Sequence, residues 1–135
     1  MIQKITQKAL ITNSEGKILA IRRTETAPSH PLCWDMPGGA CEFGEDPKTA
    51  MTREVKEEAG ISCPSLVLFH VVSHINGETQ WITLGWAGAI NDQDVSLSYE
   101  HDEFRWVTVQ EFLELQSWET IYELIKKKFM VNANV

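Results

Sequence analysis

Positive charge is scarce in this sequence: 12 lysines and arginines face 19 aspartates and glutamates, a formal net charge of −7 over 135 residues. Such a chain lacks the cations that neutralise a nucleic-acid backbone, so general nucleic-acid binding is excluded as its main business. Phosphate chemistry survives this exclusion, because a bound metal inverts the local field. Cysteine is scarce too. Cys33, Cys41 and Cys63 are an odd number without CxxC spacing, which points to reduced thiols rather than a disulfide framework or a zinc site. No apolar run approaches the ~18 residues that span a bilayer, and the first residues carry no secretion signal. The expectation is a cytoplasmic protein with no membrane partner. What is present is a 43% hydrophobic composition with five tryptophans. That suits one buried core and a single domain over residues 1–135.

The order of the chain gives a coarse plan. Ile2 to Thr12 reads as a strand, Asn13 to Gly16 as a turn, and Lys17 to Arg23 as a returning strand. Alternation sends Arg22 and Arg23 to opposite faces. Thr24 to Pro31 is a loop, Leu32 to Met36 a short apolar piece, and Cys41 to Gly44 a brief extended one. Ser65 to Ile75 and Glu78 to Ile90 flank an Asn76-Gly77 hairpin signal. His70 and His74 share a strand face there, and a structural or surface role outweighs a metal role. Asn91 to Asp102 reads as an acidic loop and Phe104 to Val107 as a short strand. Thr108 caps a helical turn, and Glu119 to Met130 forms a last helix with Ile121, Leu124, Ile125 and Phe129 at helical spacing.

Between Met36 and Ser65 lies the informative stretch. Pro37-Gly38-Gly39 lets the backbone approach a ligand closely. Asp46-Pro47 is an N-cap followed by proline at the first helical position, and Gly60 ends the helix. On the helix between them, Met51, Val55 and Ala59 form a packing stripe, while Glu54, Glu57 and Glu58 share the neighbouring face. Arg53 precedes Glu57 by four, the spacing of an ion pair. A solvated face would use the same letters. Three carboxylates gathered for chemistry would instead want a cation, since crowding raises their proton affinity. Oxygen ligands in that number suit a hard divalent metal.

The pattern decides between these readings. Gly39, Glu45, Arg53, Glu54, Val55, Glu57, Glu58, Gly60 and Ile61 fit G-x5-E-x7-R-E-U-x-E-E-x-G-U, with U apolar, at every position. This resembles the Nudix box; at ~6% per fixed letter, chance agreement is of order one in 10⁹ per start. The resemblance implies an α/β Nudix fold, a mixed sheet sandwiched between helices. It also implies magnesium- or manganese-assisted hydrolysis of a nucleoside diphosphate linked to another group. Carried over by position, Glu54, Glu57 and Glu58 are metal ligands and catalytic residues, with the Gly38 carbonyl a further ligand. Glu45 and Arg53 support them. Glu100, six residues before Trp106, resembles the extra metal-binding glutamate of mutator-type nucleotide pyrophosphohydrolases, and Glu103 is the alternative base or ligand. Arg23 and Gly39 fall to the substrate. The resemblance makes a nucleoside triphosphate, cleaved to monophosphate and pyrophosphate, the leading substrate. Nucleotide-sugars, ADP-ribose and dinucleoside polyphosphates are the alternatives, and a non-catalytic nucleotide sensor is the rival class. The partner is a small nucleotide, not a nucleic acid, and the protein a monomer or homodimer.

Overall fold

The computed structural model describes residues 1–130. Its centre is strand β1 (Ile2–Thr12), whose Ala9-Leu10-Ile11 run is apolar without alternation because both faces are covered. The Asn13 side chain accepts from the backbone N–H groups of Glu15 and Lys17, 3.0 Å each, and turns the chain into β2 (Ile18–Arg23). These two strands pair where Thr12 faces Ile18. Along the rest of their length other partners step in: β2 takes β3 (Trp34–Asp35), and β1 takes β4 (Gly38–Ala40). A wedge therefore opens in mid-sheet, and the two short strands line it.

On its other side β1 runs parallel to β6 (Thr79–Ala89), which forms a hairpin with β5 (Val67–Asn76). Gly77 supplies the positive φ of that turn, 63°. β7 (His101–Val107) closes the far side against β2. One parallel pairing among antiparallel ones makes the sheet mixed, as the family resemblance implies.

Helices cover both faces. α1 (Pro47–Ala59) begins where the Asp46 carboxylate accepts from Thr49 N–H at 2.9 Å and ends at Gly60, φ 71°. Its Met51, Val55 and Ala59 are fully buried against Ala9, Ile11, Leu19 and Ile21. On the opposite face lie α2 (Val109–Glu114), started by a Thr108–Glu111 capping box, and α3 (Glu119–Phe129). Phe112, Ile121, Leu124 and Ile125 pack there on Leu10, Ile18, Ala20 and Val107. This is an α/β/α sandwich. No described helix is long and apolar enough to cross a membrane.

Three local expectations change. Cys41 to Gly44 is not extended; the extended piece is Gly38–Ala40, drawn against β1, after which the chain turns with Gly44 at φ 89°. β7 starts at His101, so the acidic stretch gives its end to a strand with an irregular register at Arg22/Arg23. Phe129 stays 39% exposed instead of joining Ile121, Leu124 and Ile125 in the core.

Candidate active site

The site forms where α1 passes over β4. Two backbone bonds, Ala9 N–H to Pro37 O (2.8 Å) and Cys41 N–H to Ile5 O (2.9 Å), fix the phase of the β1–β4 ladder. Gly39 then faces β1, and the N–H and C=O of Gly38 point away from it. The freed Gly38 N–H donates to Glu58 Oε1 at 3.1 Å. The Gly38 carbonyl lies on the same strand edge. A Cβ at Gly38 would overlap the Gln7 carbonyl oxygen, so only glycine brings this edge so close to β1. A Cβ at Gly39 would stand 3.0–3.2 Å from the Glu54 carboxyl group. Two glycines thus make the floor on which two carboxylates rest.

The three glutamates of the helix meet different surroundings. Glu58 is 7% exposed, and burial pushes its carboxyl up to about 8. Gly38 N–H and Lys8 act against that rise, while Asp35 and Glu54 add to it. Glu57 turns outward to Arg53, whose Nη1 donates to both of its oxygens at 3.1 and 3.2 Å. The same guanidinium reaches Glu54 at 3.3 Å and, through Nη2, Glu45 at 3.1 Å. Glu45 also accepts from Glu42 N–H at 2.9 Å, the main cause of its lowered pKa. Arg53 therefore ties the turn after β4 to the glutamate face. Among the described residues no three acidic, histidine or cysteine side chains are already closed on one point; without a cation, each carboxylate takes the nearest donor.

That arrangement fits a hard divalent ion. The available donors are all oxygens, one carboxylate is buried with too little positive charge, and a strand carbonyl is turned toward the same face. The residues that could hold such an ion are Glu54, Glu57, Glu58 and the Gly38 carbonyl.

The remaining sequence candidates separate. Arg23 meets Asp35 at 3.3 Å and the Ser29 carbonyl at 2.8 Å, on the wedge. Glu100 precedes β7, and its carbonyl accepts from Thr24 N–H at 3.3 Å. The loop before it is pinned to the end of α1 by Ser96 N–H to Ala59 O (2.8 Å) and Ser98 N–H to Glu58 O (3.1 Å). These bonds satisfy helix-end carbonyls and hold the chain, two residues before Glu100, against the last turn of α1. Glu103 goes elsewhere. It pairs with Arg105 at 2.9 Å and Arg22 at 3.8 Å, on the face where Arg105 covers Trp34. Glu103 alternates in step with Arg105 and Val107, on the sheet face away from α1, while the register irregularity at Arg22/Arg23 lies beyond it and sets His101 opposite Arg23. His70 meets Glu123 at 3.3 Å on the α3 side.

The sequence reading passed over several residues that line the wedge. Asp35, 1% exposed, takes Lys8 at 2.9 Å along with Arg23, both on Oδ2. Its signal was a lone acidic residue in the apolar run Leu32 to Met36. His101 is buried, neither ring nitrogen has a partner among the described residues, and burial lowers its pKa. His30 stacks on Trp118 at 4.0 Å between ring centroids, and the Lys8 ammonium lies 5.5 Å from the same indole. A separate concavity of about 570 Å³ on the outer side of α1, lined by Asp46, Lys48, Thr52 and Lys56, shares Arg53 with the site but none of its three glutamates.

A family profile for the NUDIX domain matches residues 3–128. The chain belongs to the Nudix family. It is a Nudix hydrolase, of a kind whose members use divalent metal ions. A MutT protein from Methanosarcina mazei has the same architecture, with a TM-score of 0.84 and 29% identity over 99% of this chain and 97% of that one. The asymmetrical bis(5'-nucleosyl)-tetraphosphatase of Caenorhabditis elegans is 27% identical over 94% of both chains. An RNA pyrophosphohydrolase of Rhodospirillum rubrum is 29% identical over 78% of this Nudix domain and 73% of its own length. An octanoyltransferase of Myxococcus xanthus is 33% identical over 118 residues, but the chain spans only 32% of that longer protein.

Proposed function

We propose that this Nudix hydrolase cleaves a pyrophosphate bond in a small nucleotide, with a nucleoside triphosphate going to monophosphate and pyrophosphate as the leading substrate. The observation that carries the proposal is the Glu54–Glu58 pair resting on Gly38 and Gly39, inside an intact box. A pyrophosphate ester resists attack because its negative oxygens repel a nucleophile. A divalent ion on the box glutamates, when bound, supplies charge stabilisation and a more acidic water. More than one ion is expected with substrate present, since magnesium takes few of its ligands from protein.

The chain's own residues do the positioning. Glu54, half-buried over Gly39 and 3.3 Å from Arg53, is placed to take the proton of the attacking water. Arg53 orients Glu54 and Glu57, and Glu45 holds Arg53. Arg23 and Lys8, sharing Asp35, place positive charge along the wedge where phosphates would lie. Glu100 is the further acidic ligand from outside the helix.

A second reading, hydrolysis of a dinucleoside polyphosphate, is supported by the similarity to the C. elegans tetraphosphatase over nearly the whole of both chains. The test is a magnesium-dependent assay on nucleoside triphosphates, nucleotide-sugars, ADP-ribose, dinucleoside tetraphosphate and 5'-triphosphorylated RNA, run beside Glu57→Gln. Turnover of one class, lost by orders of magnitude in the variant, supports the proposal. Equal activity in the variant overturns the site, and no turnover across the panel favours a nucleotide sensor.

A further inference from the structure

Gln7 stands at the floor of the site with no role in the box. It is 1% exposed, and its Oε1 accepts from Trp86 Nε1–H at 2.8 Å. An indole nitrogen only donates, so this bond fixes which end of the amide faces Trp86. Both Nε2 hydrogens must then point the other way, and Nε2 has no partner among the described residues. Leaving such a donor buried and unpaired is destabilising, and few buried amides stay so without a use.

The direction it faces is set by the ladder. Gln7 shares a sheet face with Ala9 and Ile11, the face covered by α1, and lies directly opposite Gly39. Cross-strand neighbours stand about 5 Å apart at Cβ. At Gly39 that place is taken by the Glu54 carboxyl group, 3.0–3.2 Å from where the Cβ would be. The free amide and the Glu54 carboxylate are therefore neighbours that do not bond each other.

We propose that Gln7 holds the attacking water together with Glu54. Its Nε2–H donates to the water oxygen, and Glu54 accepts the water proton. The water oxygen forms the new bond to phosphorus, the bridging P–O bond breaks, and the leaving phosphate keeps that electron pair. Gln7 neither gains nor loses a proton; it aims the lone pair. Trp86 is a positioning residue, acting through the amide.

This inference rests on the hydrolytic reading above, and the experiment separates the two. Gln7→Met keeps length and burial but removes the donor; Gln7→Met with Trp86→Phe also removes the indole N–H that the first change would strand. Steady-state kinetics on the best substrate are measured with thermal unfolding in chelator. The expected result is a fall in kcat of about 10²-fold, typical for loss of one aimed donor. KM should stay within about threefold, and the double variant should unfold no earlier than Trp86→Phe alone, because a buried orphan donor has gone. Trp86→Phe alone should lower kcat less than Gln7→Met. A kcat unchanged in the folded double variant overturns the inference. A raised KM at constant kcat overturns it as well, by assigning the amide to bound substrate. If wild type turns over nothing, the hydrolytic reading itself fails.

Discussion

Two acidic regions of this Nudix domain use similar residues to opposite ends. On β7, Asp102 and Glu103 lie beside arginines: Arg22 reaches Asp102 at 2.9 Å, and Arg105 reaches Glu103 at 2.9 Å. These pairs are half-exposed and complete in themselves. On α1, Glu58 is buried beneath Gly38, Glu54 rests on Gly39, and the only guanidinium there, Arg53, leans toward Glu57 and Glu45. The first region pairs each of its carboxylates with an arginine; the second gathers three glutamates on one helix around Arg53. What differs is the floor. Two glycines bring a strand edge under the helix, where Glu58 is shut away from water.

The comparison breaks most sharply in activity. Glu58→Gln should lower kcat/KM by at least about 10²-fold, since even supporting residues of metal sites cost 10–100-fold. Glu103→Gln should change it by less than about threefold. Steady-state assays on the preferred substrate decide, and similar losses in both variants would erase the distinction.

The next largest effect concerns pH. Burial raises the folded-state pKa of Glu58 from 4.5 to about 8. Between those values the metal-free native state binds a proton that the unfolded chain has released. Stability from this group is thus full below about 4.5 and lost as pH rises toward 8, by up to about 1.4 kcal/mol per pH unit. His101 works the other way: its lowered pKa means stability is lost as pH falls below its ordinary value of 6.5. The clean observable is the difference between wild type and Glu58→Gln in urea unfolding with chelator. The variant should gain on wild type from pH 5 to 8; parallel curves would contradict the burial account.

The glycine floor gives a smaller split. Gly38→Ala drives a methyl into the Gln7 carbonyl and should destabilise by about 2–3 kcal/mol, as overpacking does. Gly39→Ala meets only the end of the Glu54 side chain, so unfolding should shift little while kcat falls about tenfold. Smallest in stability is Arg53→Gln. Its ion pairs are exposed and screened, so unfolding should barely shift, yet kcat/KM should drop roughly 10–100-fold because Glu54 and Glu57 lose their brace.

Much of α1 was legible in the sequence because its signals are local. Asp46, Pro47 and Gly60 mark its ends, and residue spacing puts three glutamates beside Met51, Val55 and Ala59. The Arg53–Glu57 pair needed only a separation of four. Helical phase sets Glu58, three residues after Val55 and seven after Met51, nearer the packing stripe than Glu57, but its partner Gly38 lies 20 positions earlier and was not legible. Asp35, Lys8 and His101 were missed for the same reason: the mid-sheet wedge gathers them from three strands. Glu103 shows the reverse limit. Proximity in sequence to Glu100 suggested the site, but Glu103 belongs to β7, where alternation with Arg105 and Val107 places it across the sheet.

The account stands most directly on whether the buried carboxyl gives up its proton to a metal. Magnesium or manganese should be titrated calorimetrically into wild type and Glu58→Gln between pH 6.5 and 8.5, in buffers of different ionisation heat. The prediction is an affinity that rises with pH up to about 8, with about one proton released near pH 7 in wild type and not in the variant. Equal affinity and equal proton release in the two proteins would contradict it.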